Sequence, residues 1–371
     1  MRTQLIFNTE KLIKRINSSR EFYKINKTSN MLDITKKYKN KRGRPFSISL
    51  LDEIKVYPET VGLIVGEGFI SDRHFVFANS NDNATHLVRD FLKQFNLPIR
   101  IYLEISTKGK SKAFIKECVN FWEKCLSIKI KKIRLRKEFY NITNHGTIHM
   151  NVNNSLVAKL LKEIIFISKN KIEKNKQLSI NYIKGVIAAE GNINIKKTTK
   201  CVYMIRISAS KPKEREHYKR CLERMGIKIY CKDMPTISPE EGIKRSWKTT
   251  RGRAGAVIIS RWDNFVKIFE LDLLEIHKDK ERKFIKYFVN NKFTQQFLDF
   301  GYFMNKKFTM KDAQIYFKFR GRKLDRVLTL YKSGYISRKK IDNKKFEYKL
   351  TKKYLSLYNK LNSTLNNPIY Q

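Results

Sequence analysis

The middle of the chain contains two stretches in which apolar and polar positions follow the same order. The first opens with the apolar segment Val61–Gly66, which ends at Glu67 followed by a glycine. The second opens with Ile183–Ala189 and ends in the same way at Glu190. Because Pro58 suits the first turn of a helix and glycine suits its end, both stretches predict a helix that stops directly after a glutamate.

The same series of strand-like and helical periodicities follows each of these two helices. In each unit, a stretch with the alternation typical of strands is followed by an amphipathic helix, then by further strands and by a last helix. The predicted elements are 75–81, 84–95, 147–151 and 155–164 in the first unit, and 192–195, 204–208, 214–225, 256–260 and 262–269 in the second. The chain therefore predicts an internal repeat in which Glu67 and Glu190 occupy equivalent positions.

The segments outside the repeat differ from it in character. The N-terminal segment is polar and basic with short apolar patches, which predicts an arm or linker. In the tail, Thr309 with an acid three residues later predicts a helix start, followed by a helix at 321–331 and strands at 335–338 and 346–350. The predicted organisation is a basic arm, two repeat units and a separate C-terminal domain, at 1–55, 56–172, 178–292 and 304–371.

The charge of the chain narrows the class of partner. The 371 residues include 79 Lys and Arg against 34 Asp and Glu, a formal net charge of +45. Such an excess repels itself unless a polyanion meets it, so nucleic acid is the leading partner and an anionic membrane surface is the competitor. Hydrophobic residues make up 41% of the chain, which excludes the disordered class. No apolar run is long enough to span a membrane, so we expect no membrane-embedded segment.

The cysteines and the N-terminus bear on the cellular compartment. Five cysteines without a Cys-x-x-Cys pair indicate reduced thiols, neither a disulfide framework nor a zinc site. The first residues lack the apolar segment and the cleavage site of a signal peptide. We therefore expect a cytoplasmic protein.

Small residues at matched positions suggest how the two glutamate-ending helices pack. Gly62 and Gly66 lie four residues apart in the first helix, and Gly185 and Ala189 in the second. Such spacing leaves a flat face on which two helix backbones approach closely. If the helices pair, the two terminal carboxylates meet and repel each other unless a divalent cation neutralises them. The alternative is that each Glu-Gly pair is an ordinary helix end.

Paired carboxylates that hold Mg²⁺ suit phosphodiester hydrolysis, in which the metal activates water and stabilises the leaving oxygen. The segments Val61–Gly68 and Lys184–Gly191 resemble the two signature motifs of LAGLIDADG homing endonucleases. The final acid of that motif, the family's metal ligand, falls on Glu67 and Glu190, with Glu in place of the commoner Asp. The resemblance covers the repeat, residues 56–290.

The resemblance implies an α+β fold. It implies a monomer with two pseudo-symmetric αββαββα subdomains, whose sheets form a saddle over the DNA major groove. It further implies a staggered double-strand break made with Mg²⁺, or with Mn²⁺ in its place. One feature departs from the family, which usually has a basic or amide side chain near the end of each last strand. No lysine is evident there, and the candidates to replace it are Lys248, Arg251 and Arg253.

Several side chains are candidates for DNA contacts. Strands that flank the two acids should carry base readers at alternating positions, here Arg73, Asn79, Asn81, Lys196, Lys197 and Arg206. The tail resembles a winged-helix domain, whose recognition helix would carry Arg320, Arg322, Lys323 and Arg326. The segment Arg42–Pro45 is similar to the core of an AT-hook. The alternatives are solvated surface charges, a charged helical cap on the core and a plain basic linker.

The function favoured by these patterns is site-specific cleavage of double-stranded DNA. Two alternatives share the fold. One is a cleavage-inactive DNA-binding protein that acts as a regulator, and the other is a maturase that binds structured intron RNA. The missing strand lysines favour the inactive binder, whereas the retention of Glu67 and Glu190 favours the nuclease.

Overall fold

The computed structural model has a mixed α+β fold and describes residues 3–17, 21–38, 46–108, 110–137, 144–209, 211–232, 255–317, 325–342 and 345–367. By its contacts the chain forms two compact units. The first comprises Met1–Asn192, Arg206–Ile259 and Asp272–Lys278, and the second comprises Ile193–Ile205, Ser260–Leu271 and Asp279–Gln371. In the described residues no helix combines the length and the apolar character that a membrane span needs.

The N-terminal segment is folded, which corrects the prediction of an arm or linker for residues 1–55. Its elements are β1 (Leu5–Asn8), α1 (Thr9–Ile16), β2 (Glu21–Thr28), β3 (Met31–Tyr38), β4 (Phe46–Leu51) and β5 (Glu53–Val56). Strands β2, β3 and β4 form an antiparallel sheet, and β1 pairs with β5. The segment forms strands because apolar and polar residues alternate in β3 and β4. Leu32, Ile34, Ile48 and Leu50 are buried, and polar residues lie between them in each strand.

The first repeat unit builds a five-stranded sheet. Its elements are α2 (Pro58–Glu67), β6 (Gly68–Ile70), β7 (Phe75–Asn79), α3 (Asp82–Lys93), β8 (Arg100–Ser106), α4 (Lys112–Leu126), β9 (Ile133–Arg136), β10 (Thr147–Val152) and α5 (Ser155–Lys174). The strand order is β6-β7-β10-β8-β9, with only the β8–β9 pair parallel among the registers described for this sheet. The predicted helix at Pro58 and the predicted strand at 147–151 are confirmed.

The second repeat unit follows without a linker. Asn175 ends α5, and its side chain caps the next helix by accepting a hydrogen bond from the amide of Leu178 at 3.0 Å. The elements are α6 (Lys176–Glu190), β11 (Gly191–Lys196), β12 (Cys201–Ala209), α7 (Pro212–Arg224), β13 (Ile229–Lys232), β14 (Gly255–Ile259) and α8 (Trp262–Glu270). The strand order is β11-β12-β14-β13. The four strands that the first sheet shares with it, β6-β7-β10-β8, follow the same first-second-fourth-third order.

The C-terminal part of the chain continues with short helices and a small sheet. Its elements are α9 (Lys278–Val289), α10 (Lys292–Asp299), a 3-10 helix (Phe300–Phe303), β15 (Phe308–Thr309), α11 (Met310–Phe317), α12 (Asp325–Lys332), β16 (Ile336–Asp342), β17 (Lys345–Leu350) and α13 (Lys352–Leu365). The sheet order is β15-β17-β16. The predicted start of α11 is confirmed, because the Thr309 amide donates to an Asp312 carboxylate oxygen at 2.7 Å and the Asp312 amide donates back to the Thr309 hydroxyl at 3.2 Å.

The tail is packed against the helices that precede it, so a boundary at residue 304 divides a continuous core. The ring of Tyr354 lies 4.4 Å from that of Phe297, and its hydroxyl donates to the Phe297 carbonyl at 2.5 Å. Lys360 donates to the carbonyl of Phe269 at 2.8 Å. Aromatic rings from α10, the 3-10 helix and β15 thus share one interior within the second compact unit.

Candidate metal and nucleic-acid site

Helices α2 and α6 pack with their backbones in direct contact. A Cβ atom on Gly62 would overlap the carbonyl oxygen of Tyr182, and one on Gly185 would overlap the carbonyl oxygen of Glu59. Both glycines are buried, and any side chain at either position would separate the helices. The structure therefore brings together the small-residue faces that the sequence singled out.

The same contact places the ends of the two helices side by side. A Cβ atom on Gly66 would lie 2.5 Å from the Cβ of Ala189 and 3.1 Å from the Cγ of Glu190. Since Gly66 immediately precedes Glu67, the two terminal glutamates belong to adjacent helix ends. Glu67 is exposed and Glu190 is half-buried.

Each helix stops at its glutamate because the following glycine turns into a strand. Gly68 and Gly191 have extended backbones, with φ of −87° and −74°, and their amides donate to the carbonyls of Ile64 and Ile187. A Cβ atom on Gly68 would overlap the carbonyl oxygen of Ile64. Close approach to the preceding turn, rather than a positive φ, therefore selects glycine here.

The charge of Glu190 acts on a buried tyrosine, Tyr218. Burial raises the pKa of the Tyr218 hydroxyl, and the negative charges of Glu214 and Glu190 add to this effect. Tyr218 therefore stays neutral near the carboxylate at neutral pH. One turn and a half before Glu190, Lys184 is neutralised by Glu275 at 2.9 Å, so its charge is satisfied within the protein.

The donor set at the two helix ends fits a hard cation that shares its ligands with another molecule. Mg²⁺ is usually bound through one or two carboxylates together with substrate phosphates and water. The described part of the chain contains no group of three or more His, Cys, Asp or Glu that could hold a metal alone. Glu67 and Glu190 would therefore need additional oxygen ligands, and the phosphates of a nucleic acid are ligands of this kind.

Four of the six proposed base readers are exposed or half-buried, on strands or directly beside them. Arg73 is exposed in the turn between β6 and β7, where its amide donates to the Ser71 hydroxyl at 3.1 Å. Lys196 ends β11 and Lys197 follows it, and both are exposed. Arg206 lies in β12 and is half-buried.

Asn79 and Asn81 have structural positions that argue against base contacts. Asn81 is 7% exposed, and its side chain caps α3 by accepting from the Ala84 amide at 2.9 Å. Asn79 is 8% exposed and accepts from the Asn81 amide at 2.8 Å. Both side chains are used in joining β7 to α3, so the proposed role as base readers is corrected. The missed signal was an asparagine directly before a helical pattern, which is typical of an N-cap.

The remaining candidates lie outside the described residues: Lys248, Arg251, Arg253, Arg320, Arg322, Lys323 and the segment Arg42–Pro45. Arg326 belongs to α12, although the placement of its side chain is not among the described features. None of these positions is assigned a contact here.

The outer face of the five-stranded sheet carries a cluster that the sequence did not reveal. Leu103, Ile105, Ile148 and Met150 are fully buried on one face of β8 and β10, so the residues between them point to the opposite face. That face carries a histidine stacked on a tyrosine, a glutamate and two arginines, namely His149, Tyr102, Glu104, Arg134 and Arg136. We call these five residues the sheet-face cluster.

The comparisons with known proteins find likeness only at the level of structure. No family model and no curated protein sequence matches this chain. Similar solved structures include mesophilic variants of the homing endonuclease I-DmoI, at 14% identity over 59% of this chain and 94% of that chain, with a TM-score of 0.33. The N-terminal LAGLIDADG domain of DUF199/WhiA has 12% identity over 60% of this chain and 84% of that chain, with a TM-score of 0.34. I-DmoI in complex with DNA and Ca has 14% identity over 57% and 86%, with a TM-score of 0.32. This likeness is too weak to assign a function to the chain.

Proposed function

We propose that this protein is a metal-dependent, site-specific endonuclease of the LAGLIDADG type that cleaves double-stranded DNA. The observation that carries the proposal is the pair of glutamates at adjacent helix ends, held there by backbone-to-backbone packing at Gly62 and Gly185. In a chain with a net charge of +45, two acids at adjacent helix ends are unfavourable for phosphate binding unless a cation accompanies them.

In this proposal Glu67 and Glu190 hold Mg²⁺, or Mn²⁺ in its place, together with phosphate oxygens of the DNA. The bound metal would supply an activated water and stabilisation of the leaving oxygen. The task of the protein is positional: the glycine contacts fix the two helix ends, and the chain turns from helix to strand at Gly68 and Gly191, directly after each glutamate. The exposed basic residues of the strands neutralise the approaching backbone of the duplex.

The proposed DNA interface includes the faces of both larger sheets. Their shared first-second-fourth-third strand order supports two related αββαββα halves within one monomeric chain. Arg73, Lys196, Lys197 and Arg206 remain the proposed contacts on or beside these strands. Asn79 and Asn81 are no longer among them.

The tail is proposed to bind DNA as a winged helix. Two helices, α11 and α12, precede a two-stranded ribbon formed by β16 and β17, and β17 lies between its partner and the short β15. Six of the seven residues of β16 are exposed, among them Arg338, Lys339 and Lys340. This topology and this charge support a wing that contacts phosphates.

A cleavage-inactive DNA-binding protein is the second candidate. The observation in its favour concerns β10 and β14, the last strands in chain order of the first and the second repeat unit. Neither strand contains a lysine or arginine. If no basic side chain lies near the acids, the scaffold would still bind duplex DNA and would fail to hydrolyse it; the candidates Lys248, Arg251 and Arg253 lie outside the described residues. The distinction is therefore between binding with cleavage and binding alone.

The experiment that separates the two candidates uses the full chain and a plasmid library of candidate sites. The protein is incubated with the library in Mg²⁺ and, in parallel, in Ca²⁺, which supports binding better than hydrolysis. Sequence-specific double-strand breaks in Mg²⁺ alone would support the endonuclease. Selective retention of some plasmids without breaks in either metal would support the inactive binder instead.

A further inference from the structure

The sheet-face cluster contains a carboxylate that is covered by two arginines. Glu104 on β8 is 14% exposed, whereas Arg134 and Arg136 on the adjacent β9 are 61% and 44% exposed. The Nε of Arg136 lies 2.8 Å from one oxygen of Glu104, and the Nε of Arg134 lies 3.9 Å from the other. The arginines are thus held by an acid on a face that otherwise presents positive charge.

A histidine shares this acid. The ring of His149 on β10 stacks on Tyr102 with centroids 4.4 Å apart and an interplanar angle of 8°. Its Nε2 lies 3.9 Å from the Glu104 oxygen that Arg136 binds. Among the described residues, neither His149 Nε2 nor the second Glu104 oxygen has a hydrogen-bond partner, although both atoms are shielded from solvent.

In the described part of the chain, the residues opposite His149 on the two neighbouring strands carry no charge. Strand β7 places Ala78 opposite His149, so the neighbour on that side is neutral. On the β8 side, Tyr102 stands opposite the histidine, and the ammonium group of Lys132 lies 5.8 Å from the centroid of the tyrosine ring. Within the described residues, the charged groups that act on His149 are therefore Glu104, Arg136 and Arg134, with Lys132 further away.

These neighbours act on the imidazole in opposite directions. Burial lowers the pKa of His149, Glu104 raises it, and Arg136 and Arg134 lower it further. With both arginines in place the ring is neutral at neutral pH. If the arginines moved away, the carboxylate alone would face the imidazole, and a protonated Nε2 would then replace Arg136 as the partner of the Glu104 oxygen that lies 3.9 Å from it.

We propose that duplex DNA releases Arg134 and Arg136 from Glu104 to phosphates and that His149 takes up a proton in the same step. This inference rests on the proposed DNA binding and deepens it, because it makes the affinity of this face depend on pH. Bidentate arginine contacts to phosphate are strong enough to compete with a carboxylate. Each phosphate that approaches also adds negative charge near the imidazole, which favours its protonated form.

The sign of the effect follows from linkage. A group that is neutral in the unbound protein and protonated in the complex makes binding stronger as pH falls through its range. For one proton the dissociation constant changes by at most about tenfold per pH unit. The wild-type protein should therefore bind duplex DNA more tightly at about pH 6 than at about pH 8, the range around the ordinary histidine pKa.

The experiment measures binding of the full chain to a short mixed-sequence duplex, without divalent metal so that cleavage does not interfere. Dissociation constants are taken across this pH range at constant salt. Calorimetry in two buffers of different ionisation enthalpy counts the protons taken up. His149→Phe keeps the stacking on Tyr102 but cannot titrate, and His86→Asn on α3 is the matched control.

The expected result is proton uptake by the wild type and by His86→Asn, reduced by close to one proton in His149→Phe. Glu104→Gln should bind more tightly than the wild type at about pH 8 and depend less on pH, because the arginines are no longer held by a charged acid. Equal proton uptake in the wild type and in His149→Phe would overturn the proposal while leaving DNA binding intact. Absence of binding at every pH would instead contradict the proposed function.

Discussion

The helix ends and the sheet face of the first compact unit are both polar, but they are built on different kinds of contact. At the helix ends, Glu67 and Glu190 are positioned by local backbone geometry and by glycines that allow two helices to touch. On the sheet face, Glu104 and His149 are positioned by the register of strands that lie 45 residues apart in the chain. The first arrangement is rigid by packing, whereas the second is a network of charges that a ligand can rearrange.

The comparison predicts its largest effect for the packing of the helix pair. Overpacking typically costs about 1–3 kcal/mol and occasionally more. Gly62→Leu should lower the free energy of unfolding by about 3 kcal/mol or more, because the new side chain meets the backbone of α6. Thermal unfolding measures the loss. Asn170→Leu, at an exposed position of α5, is the control and should change the melting temperature little. A Gly62→Leu variant as stable as the wild type would contradict the observed helix contact.

A smaller effect is expected at the junction between β7 and α3. Asn81→Ala removes the cap of α3 and should cost about 1 kcal/mol, within the range of 0.5–2 kcal/mol for such caps. Asn81→Asp should restore most of the stability, because aspartate is also a good N-cap. Urea unfolding measures both variants, and binding-site selection tests sequence preference. A changed preference at unchanged stability would return Asn81 to the group of base readers.

These two regions also show what the sequence could predict. Pro58, the glycines and the glutamates of α2 and α6 were identified because helix signals are local and the repeat presented them twice. The sheet-face cluster was not identified, because β8 and β9 are separated in sequence by α4. The contact of Glu104 with Arg136 depends on how these two strands pair. Nothing near Glu104 in the sequence indicates which strand will lie beside it.

The N-terminal segment was misjudged for a different reason. Alternation of apolar and polar residues around Leu32, Ile34, Ile48 and Leu50 is a local signal for strands, whereas the high content of lysine describes only the surface of the segment. Similarly, the predicted boundary at residue 304 falls inside a unit in which Phe297 and Tyr354 share one interior. Charge describes the surface of a unit and does not locate its boundaries.

The pH dependence of stability can distinguish buried histidine from sheet-face histidine. His217 on α7 is 5% exposed, and burial followed by the charge of Lys169 lowers its pKa. The pKa of His149 is also lowered. The stabilisation that comes from keeping these two histidines neutral is therefore fully present above the unfolded-state pKa of about 6.5. It is lost as pH falls below that value, at no more than about 1.4 kcal/mol per pH unit for each proton.

Urea unfolding between about pH 7.5 and about pH 5 measures this loss relative to that unfolded-state pKa. His149→Phe should remove the part of this loss that comes from the sheet face, and His217→Phe should remove the part that comes from the interior, where His217 packs on Tyr182. If neither variant alters the slope of unfolding free energy against pH in this range, burial of the two histidines does not destabilise the protein at low pH.

The smallest effect concerns the proposed wing. Lys339→Gln and Lys340→Gln should each weaken DNA binding uniformly across sequences and reduce the slope of log affinity against log salt by about 0.9. Point substitutions are preferable to truncation, because deletion at residue 304 would expose the aromatic interior around Phe297. Lys124→Gln on the exposed side of α4 serves as the control. An unchanged slope in both wing variants would make the tail a structural cap.

The most direct test of the account is double-strand cleavage in Mg²⁺ by the wild type and by the variants Glu67→Gln and Glu190→Gln. Each substitution keeps the size of the side chain and removes the charge that would hold the metal, and Glu53→Gln, at an exposed acid of β5, is the control. The account predicts that both helix-end variants lose cleavage and still bind the target duplex at least as tightly as the wild type, because a negative charge beside the phosphates is gone. Cleavage by either variant at a rate near that of the wild type would contradict the assignment of the paired glutamates.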